Sequence, residues 1–189
     1  MKDLRPAILL AIIFTIVCGV IYPAMVTGVA QAIFPHQANG SLITDKSGKA
    51  LGSTLIGQPF SDPKYFWPRP SSTADFGYNP LASGGSNSGP TNSHYLKTVG
   101  DRVKVLRERS VTGPIPSELV QASASGLDPH VSPEGVLVQV PRVAKARGLS
   151  ENAVTRIITQ VTEDRQLGFL GVARVNVLVL NHAMDKLKP

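Results

Sequence analysis

Cysteine is nearly absent from this sequence: Cys18 stands alone among 189 residues, inside a long apolar run. A disulfide framework, a cysteine metal cage and a thiol nucleophile outside that run are thereby excluded. Runs of like charge are missing as well. Of 19 basic and 13 acidic residues, setting aside Lys2, Arg5 and Asp3 leaves 17 against 12, a charge near +5 beyond the apolar run. These charges are scattered and not interleaved with aromatic residues, which argues against a nucleic-acid surface and for an ordinary solvated one. Catalytic signatures are absent too. The sequence has no Gly-x-x-x-x-Gly-Lys-Ser/Thr phosphate loop, no His-Glu-x-x-His pair and no Gly-x-Ser-x-Gly elbow.

The longest gap is in charge itself. Between Pro6 and Thr44 there is no Asp, Glu, Lys or Arg, and from Ala7 to Phe34 almost every residue is apolar. A helix of roughly 28 residues is about 42 Å long, more than the ~30 Å hydrocarbon core of a bilayer. Lys2 and Arg5 precede the run and Ala30-Gln31-Ala32 fits a signal-peptide cleavage site, so the residues leave retained anchor and cleaved signal both open. The length of the run favours the anchor. Ala24, Gly28 and Ala32 recur every four positions, a stripe on which a second helix can approach closely, and Thr15 and Gly19 repeat the spacing below it. Pro23 is expected to kink the helix between the two sets. No basic residue follows the run until Lys46, so the positive-inside bias predicts a cytoplasmic amino terminus. The expected division is 1–6 cytoplasmic, 7–34 transmembrane helix and 35–189 a single domain on the far side of the membrane, long enough to bury a core.

Along that domain, Leu42-Ile43-Thr44 and Ala50 to Ile56 read as two strands around a tight turn at Asp45 to Lys49. Gln58 to Pro90 has little periodicity and six prolines, yet it carries Phe60, Tyr65, Phe66, Trp67, Phe76 and Tyr78, too many aromatics for a disordered linker. An ordered loop is predicted. Asn92 to Arg109 and Pro116 to Ala124 read as helices. Ser132 and Pro133 open another, expected to break near Val140 and resume through Arg147 to Gly148. Ser150 caps a further helix with Ala153, Val154, Ile157, Ile158 and Val161 on one face. Arg174 to Leu180 alternates like a strand, and Asn181 to Leu187 suits a closing helix. The fold class is α+β.

Two features hold candidate function. In Tyr65-Phe66-Trp67-Pro68-Arg69-Pro70 the prolines stiffen the chain and present rings at low entropic cost, so Tyr65, Phe66, Trp67 and Arg69 are candidates for docking a partner; the competing assignment packs the rings on the domain's own core. Asp128 and His130, with Ser123, Ser125 or Ser132, can be drawn as a triad, which gives the alternative of a membrane-anchored periplasmic enzyme. Asp-Pro-His before a capped helix is an ordinary turn, so the residues favour a chain that is not an enzyme by itself.

An ordered set of phrases resembles the C subunit of the Kdp potassium-transporting P-type ATPase. It comprises Tyr22-Pro23, Gln37 to Ser41, Gly52-Ser53, Leu55 to Gln58, Tyr65 to Ser71, Tyr78-Asn79, Ser83 to Asn87, Ser125 to His130, Arg142 to Ala144 and Arg174 to Leu178. One departure is visible: Val120-Gln121-Ala122-Ser123 stands where the family usually has Val-Thr-Ala-Ser, so any role of the threonine hydroxyl is lost at Gln121. The resemblance implies a small subunit of the inner membrane with one uncleaved helix and a periplasmic domain. Its implied partners are a channel-like potassium-binding subunit, a P-type ATPase subunit and a small membrane subunit. The aspartyl-phosphate motif of a P-type ATPase is not in this chain, so the implied role is non-catalytic. That role is to stabilise assembly and to act as a catalytic chaperone that raises the ATPase subunit's affinity for ATP. Potassium would be the transported ion, with no cofactor bound tightly here. Leu81 to Asn87 is similar to the Leu-Ser-Gly-Gly-Gln signature of ABC ATPases, which implies nucleotide contact by Ser83, Gly84, Gly85, Ser86 and Asn87.

Overall fold

A run without charge has nothing to interrupt a helix, and in the computed structural model it forms one continuous helical span, Leu4–Ile33. The structure describes residues 3–45, 47–109 and 111–187; Lys2, of the basic start, and Lys46, of the first turn, lie outside them. The span comprises α1 (Leu4–Ile16), a π turn (Val17–Ile21) and α2 (Tyr22–Ile33). Pro23 has no N–H to give a carbonyl one turn earlier. The wider π turn ends just before it and takes up the irregularity expected there. Thr15 satisfies its hydroxyl on the Ala11 carbonyl at 2.7 Å, as a polar side chain in an apolar helix must. Neither α1 nor α2 has a buried residue. The span is long and apolar enough to cross a membrane and suits a membrane anchor.

The chain separates into two units, one ending at Leu51 and the other beginning at Gly52. In the first, a short α3 (Pro35–Ala38) follows the long helix, and Gln31 and Asn39 exchange amide hydrogen bonds of 3.2 and 3.1 Å across it. β1 (Leu42–Thr44) pairs with β2 (Ala50–Ser53) in a two-stranded sheet, and the division between the units falls within β2. Asp45 closes the turn between them by accepting from the amides of Ser47 and Lys49 at 2.7 and 3.0 Å.

The second unit is built on α4 (Ser93–Glu108), α5 (Pro133–Leu137), α6 (Val140–Arg147), α7 (Glu151–Val161) and α8 (Val177–Lys186). Its antiparallel sheet has the order β3 (His130–Val131), β5 (Arg174–Asn176), β4 (Thr162–Glu163). Val175 lies at the centre, opposite Val131 on one side and Thr162 on the other. Val131, Val136, Val143, Val154, Val175, Leu180 and Met184 make the core, joined by Phe66 from the long loop. Side-chain caps at Asn92, Ser132, Ser150 and Asn176 start four of the helices. The helix expected to break near Val140 does so, with Gln139 between its halves and Pro141 in the first turn of the second.

Two expectations are corrected. Pro116 to Ala124 forms only one 3-10 turn, Ser117–Leu119. Arg102 takes the Val120 carbonyl at 2.8 Å and Ser132 takes the Glu118 carboxylate at 2.6 Å, and both pull the segment out of helical register. The strand expected over Arg174 to Leu180 ends at Asn176, whose side chain accepts the Val179 amide at 3.1 Å and starts α8 instead. Val177, Leu180, Asn181 and Met184 all turn inward, a helical spacing that outweighs the local preference of the β-branched residues.

Candidate functional site

The aromatic loop has no ladder to satisfy its backbone, and side chains do the work of one. From Pro63 to Trp67 five consecutive carbonyls accept from side chains far along the chain. Arg142 Nη1 donates to Pro63 and Tyr65 at 2.6 and 2.9 Å, Arg147 Nε to Lys64 at 2.7 Å, Asn181 to Phe66 at 3.0 Å and Gln139 to Trp67 at 3.1 Å. The two amides also accept, Asn181 from Phe66 N–H and Gln139 from Trp67 N–H, each at 2.8 Å. Gln139 and Asn181 are fully buried, so each acts as a strand partner inside the core.

This clamp sorts the docking candidates. Phe66 is withdrawn, because its ring is wholly inside the core and cannot meet another chain in the folded domain. Tyr65 is half-buried; its hydroxyl donates to Asp185 at 3.1 Å and Arg147 lies over its ring at 5.2 Å. Burial first, and the Asp185 charge second, push its hydroxyl pKa up. Trp67 stacks on the Arg142 guanidinium at 4.0 Å, and burial lowers that guanidinium to about 10. Together with Pro68, Val105, Leu106 and Leu119, Trp67 lines an apolar groove of about 330 Å³ beside α4.

Arg69 and the 125–130 stretch form a second centre. Arg69 Nη1 meets Asp128 at 2.8 Å, and the same carboxylate accepts the His130 amide at 2.9 Å and lies 3.4 Å from His130 Nδ1. Burial opposes ionisation of Asp128 most strongly, but the His130 and Arg69 hydrogen bonds together outweigh it and hold the pKa below 3.8. Tyr78 donates its hydroxyl to the Arg69 carbonyl, and burial followed by the Asp128 charge raises its pKa. Gly57 donates to the Leu127 carbonyl at 2.8 Å, and a Cβ there would stand 2.3 Å from the Tyr78 ring, so only glycine lets these strands of loop meet. Gly126 is as constrained, with φ +68° and the Gly84 carbonyl 2.7 Å from any Cβ.

The triad is not assembled. Ser132 donates to Glu118 rather than to His130, the Ser125 hydroxyl accepts the Leu127 amide at 3.1 Å, and among the described residues no hydrogen bond joins Ser123 to His130. Asp128 instead locks Arg69 and the turn at His130 together, a structural role. In the serine and glycine loop, the Gly84 amide and the Ser83 hydroxyl are both spent on the Ser125 carbonyl, at 2.9 and 3.0 Å. Gly85 faces Ala124, while Ser86 and Asn87 are exposed. Ser86 lines a polar pocket of about 250 Å³ with Ser72, Ser88, His94, Tyr95 and Arg102. Among the described residues no group of acids, histidines and cysteine could hold a metal ion. Ala24, Gly28 and Ala32 are exposed, and a Cβ on Gly28 would meet nothing within 4 Å. Gln121 lies at the surface, and Asp62 turns the loop by accepting the Lys64 amide at 2.9 Å. Asp75 is exposed with φ +66°.

Gln139, Arg142, Arg147 and Asn181 are the functional scaffold that sequence reasoning missed. One signal was present: Gln139 is the lone polar residue in Gly135 to Val140, and such a residue in an apolar run needs a buried partner.

Comparison with known proteins bears on the whole chain. Residues 4–186 match the sequence model of the family described as KdpC: K+-transporting ATPase, c chain. A Geobacter sulfurreducens protein called Potassium-transporting ATPase KdpC subunit is 68% identical over 189 residues, covering all of both chains. Proteins of the same name from Geobacter metallireducens and Methylococcus capsulatus are 66% identical over 189 residues, all of both chains, and 53% identical over 186, with 97% of each covered.

Proposed function

The chain belongs to the KdpC family and is a subunit of a potassium-transporting ATPase rather than a catalyst alone, and from that premise we propose how it serves the complex. It is a non-catalytic assembly subunit that holds a channel-like potassium-binding subunit and a P-type ATPase subunit together, with a small membrane subunit alongside. The observation that carries this is the extent of the likeness, which runs through both the apolar helix and the domain beyond it. The anchor sits in the inner membrane with residues 1–6 in the cytoplasm and 35–189 in the periplasm, supported by Lys2 and Arg5 before the helix. Ala24, Gly28 and Ala32 are the face against which a partner helix packs. Trp67 with its groove, and Tyr65 and Arg69 beside it, dock the periplasmic domain.

The chaperone role is transmitted through the ATPase subunit. ATP is cytoplasmic, whereas the charge bias puts Ser83 to Asn87 outside, and two donors of that loop are already engaged. Raised ATP affinity therefore comes from the assembled state of the ATPase subunit, without direct contact by Ser83, Gly84, Gly85, Ser86 or Asn87. The test is detergent pull-down of the tagged full-length chain, with potassium-stimulated ATPase activity and ATP titration on the recovered material. The proposal expects co-purified channel-like and ATPase subunits, and a rise in the ATP concentration for half-maximal activity when this chain is omitted. A chain recovered alone would refute the assembly role; an unchanged ATP dependence would refute the chaperone role.

A further inference from the structure

The β4–β5 hairpin ends in a tip whose apolar side chains stand mostly in solvent. Leu167 is 83% exposed, Phe169 69% and Val172 71%. The tip is ordered all the same: Gln166 and Leu170 exchange backbone hydrogen bonds of 3.0 and 2.9 Å. The Phe169 amide donates to the Gln166 carbonyl at 3.2 Å and closes a β-turn with Leu167 and Gly168 at its corners. Both corners have positive φ, 54° and 81°. Asn-Gly or Gly-Gly makes such a turn with little strain, whereas Leu in the left-handed region is disfavoured. The domain gains no packing from that Leu. Strain and exposure thus coincide on one residue, where Asn would serve the fold better.

We infer that Leu167 and Phe169 form a knob that seats in an apolar pocket on another protein chain of the same ATPase, an inference that rests on the assembly role proposed above. The turn fixes both side chains in one geometry, an advantage against a shaped pocket and none against a fluid bilayer. The rim is balanced: Glu163 pairs with Arg174 at 2.9 Å, and Asp164 and Arg165 follow in sequence. From Thr162 to Val175 there is no Trp or Tyr, and Arg165 and Arg174 are matched by Glu163 and Asp164, so the segment lacks the amphipathic rings and the net positive charge that hold interfacial segments on lipid. A handful of apolar side chains also falls short of the roughly 800 Å² per partner of a free-standing interface. Such a knob suits a chain already held to its partners elsewhere rather than a self-dimer.

The experiment uses the full-length chain co-expressed with the other subunits and carrying Leu167→Asn or Phe169→Ser. Leu167→Asn should leave the unfolding midpoint of the chain unchanged or raised while co-purification of the other subunits falls about tenfold or more. Phe169→Ser should lose recovery at an unchanged midpoint. Assembly of both variants at full yield overturns the inference. A label at Val172→Cys, in the same tip but outside the knob, in a Cys18→Ser background and in the complex reconstituted in phosphatidylglycerol and phosphatidylcholine vesicles, separates protein from lipid. Protection from aqueous iodide without quenching by doxyl lipid supports the pocket, and quenching by doxyl lipid overturns it. An unmodified chain that recovers no other subunit fails at the assembly role itself, a result distinct from variants that assemble normally.

Discussion

The apolar helix and the aromatic loop face the same requirement and meet it in opposite ways. From Leu4 to Ile33 the backbone is satisfied inside the helix, and the side chains have no partner of their own unit to bury them. From Pro63 to Trp67 the backbone has no regular element, and Arg142, Arg147, Asn181 and Gln139 satisfy it from positions 72 to 115 residues away for the amide pairs. The difference separates two kinds of residue. Those of the helix specify an environment outside the chain, whereas those of the loop specify the chain's own fold. Substitution in the first should spare stability and damage assembly, and substitution in the second should damage stability first.

The largest effect is expected at Phe66, where Ala would empty the centre of the clamp and cost about 3–5 kcal/mol. Chemical denaturation of the full-length chain in detergent would measure it; a loss within about 1 kcal/mol would mean that the loop is not part of the core. Asn181→Leu should cost about 2–3 kcal/mol, since it keeps the volume and strands the Phe66 N–H and carbonyl. A near-neutral result would show that the amide clamp is dispensable.

A smaller effect is set by pH. The folded pKa of Asp128 lies below its ordinary 3.8, so its contribution to stability is present above that value and is lost as pH falls through the folded pKa. Asp128→Asn should flatten the acid limb of a stability-versus-pH curve, and an unchanged limb would remove Arg69 and His130 as the cause. The smallest is Lys104→Ala, because the pair with Glu108 at 3.9 Å is exposed on both sides. The expected change in the denaturation midpoint is within about 0.5 kcal/mol.

The sequence made the helix side of this comparison legible and left the loop side obscure. Absent charge and the caps at Ser132 and Ser150 are local patterns, and the helices they announce begin where local rules predict them; the four-residue spacing of Ala24, Gly28 and Ala32 is as local and lies on the exposed surface of the helix. The order of the loop was foreseeable from its aromatic content, but its cause was not, because Gln139 and Asn181 meet it only through the tertiary fold. Val177 to Leu180 shows the limit most clearly. Four residues fit alternation as well as they fit a helix, and only the inward turn of Asn181 and Met184 decides between the two. The Leu167 tip gave no sign in sequence, since its strain is a backbone property.

Gly28→Leu puts both sides of the comparison in one preparation, by measuring the unfolding midpoint of the full-length chain and its recovery of the other ATPase subunits together. An unchanged midpoint with recovery lost is the predicted result, since a Cβ at Gly28 meets nothing in this chain and would obstruct only a partner helix. Full recovery of an active complex would contradict the packing role of the helix.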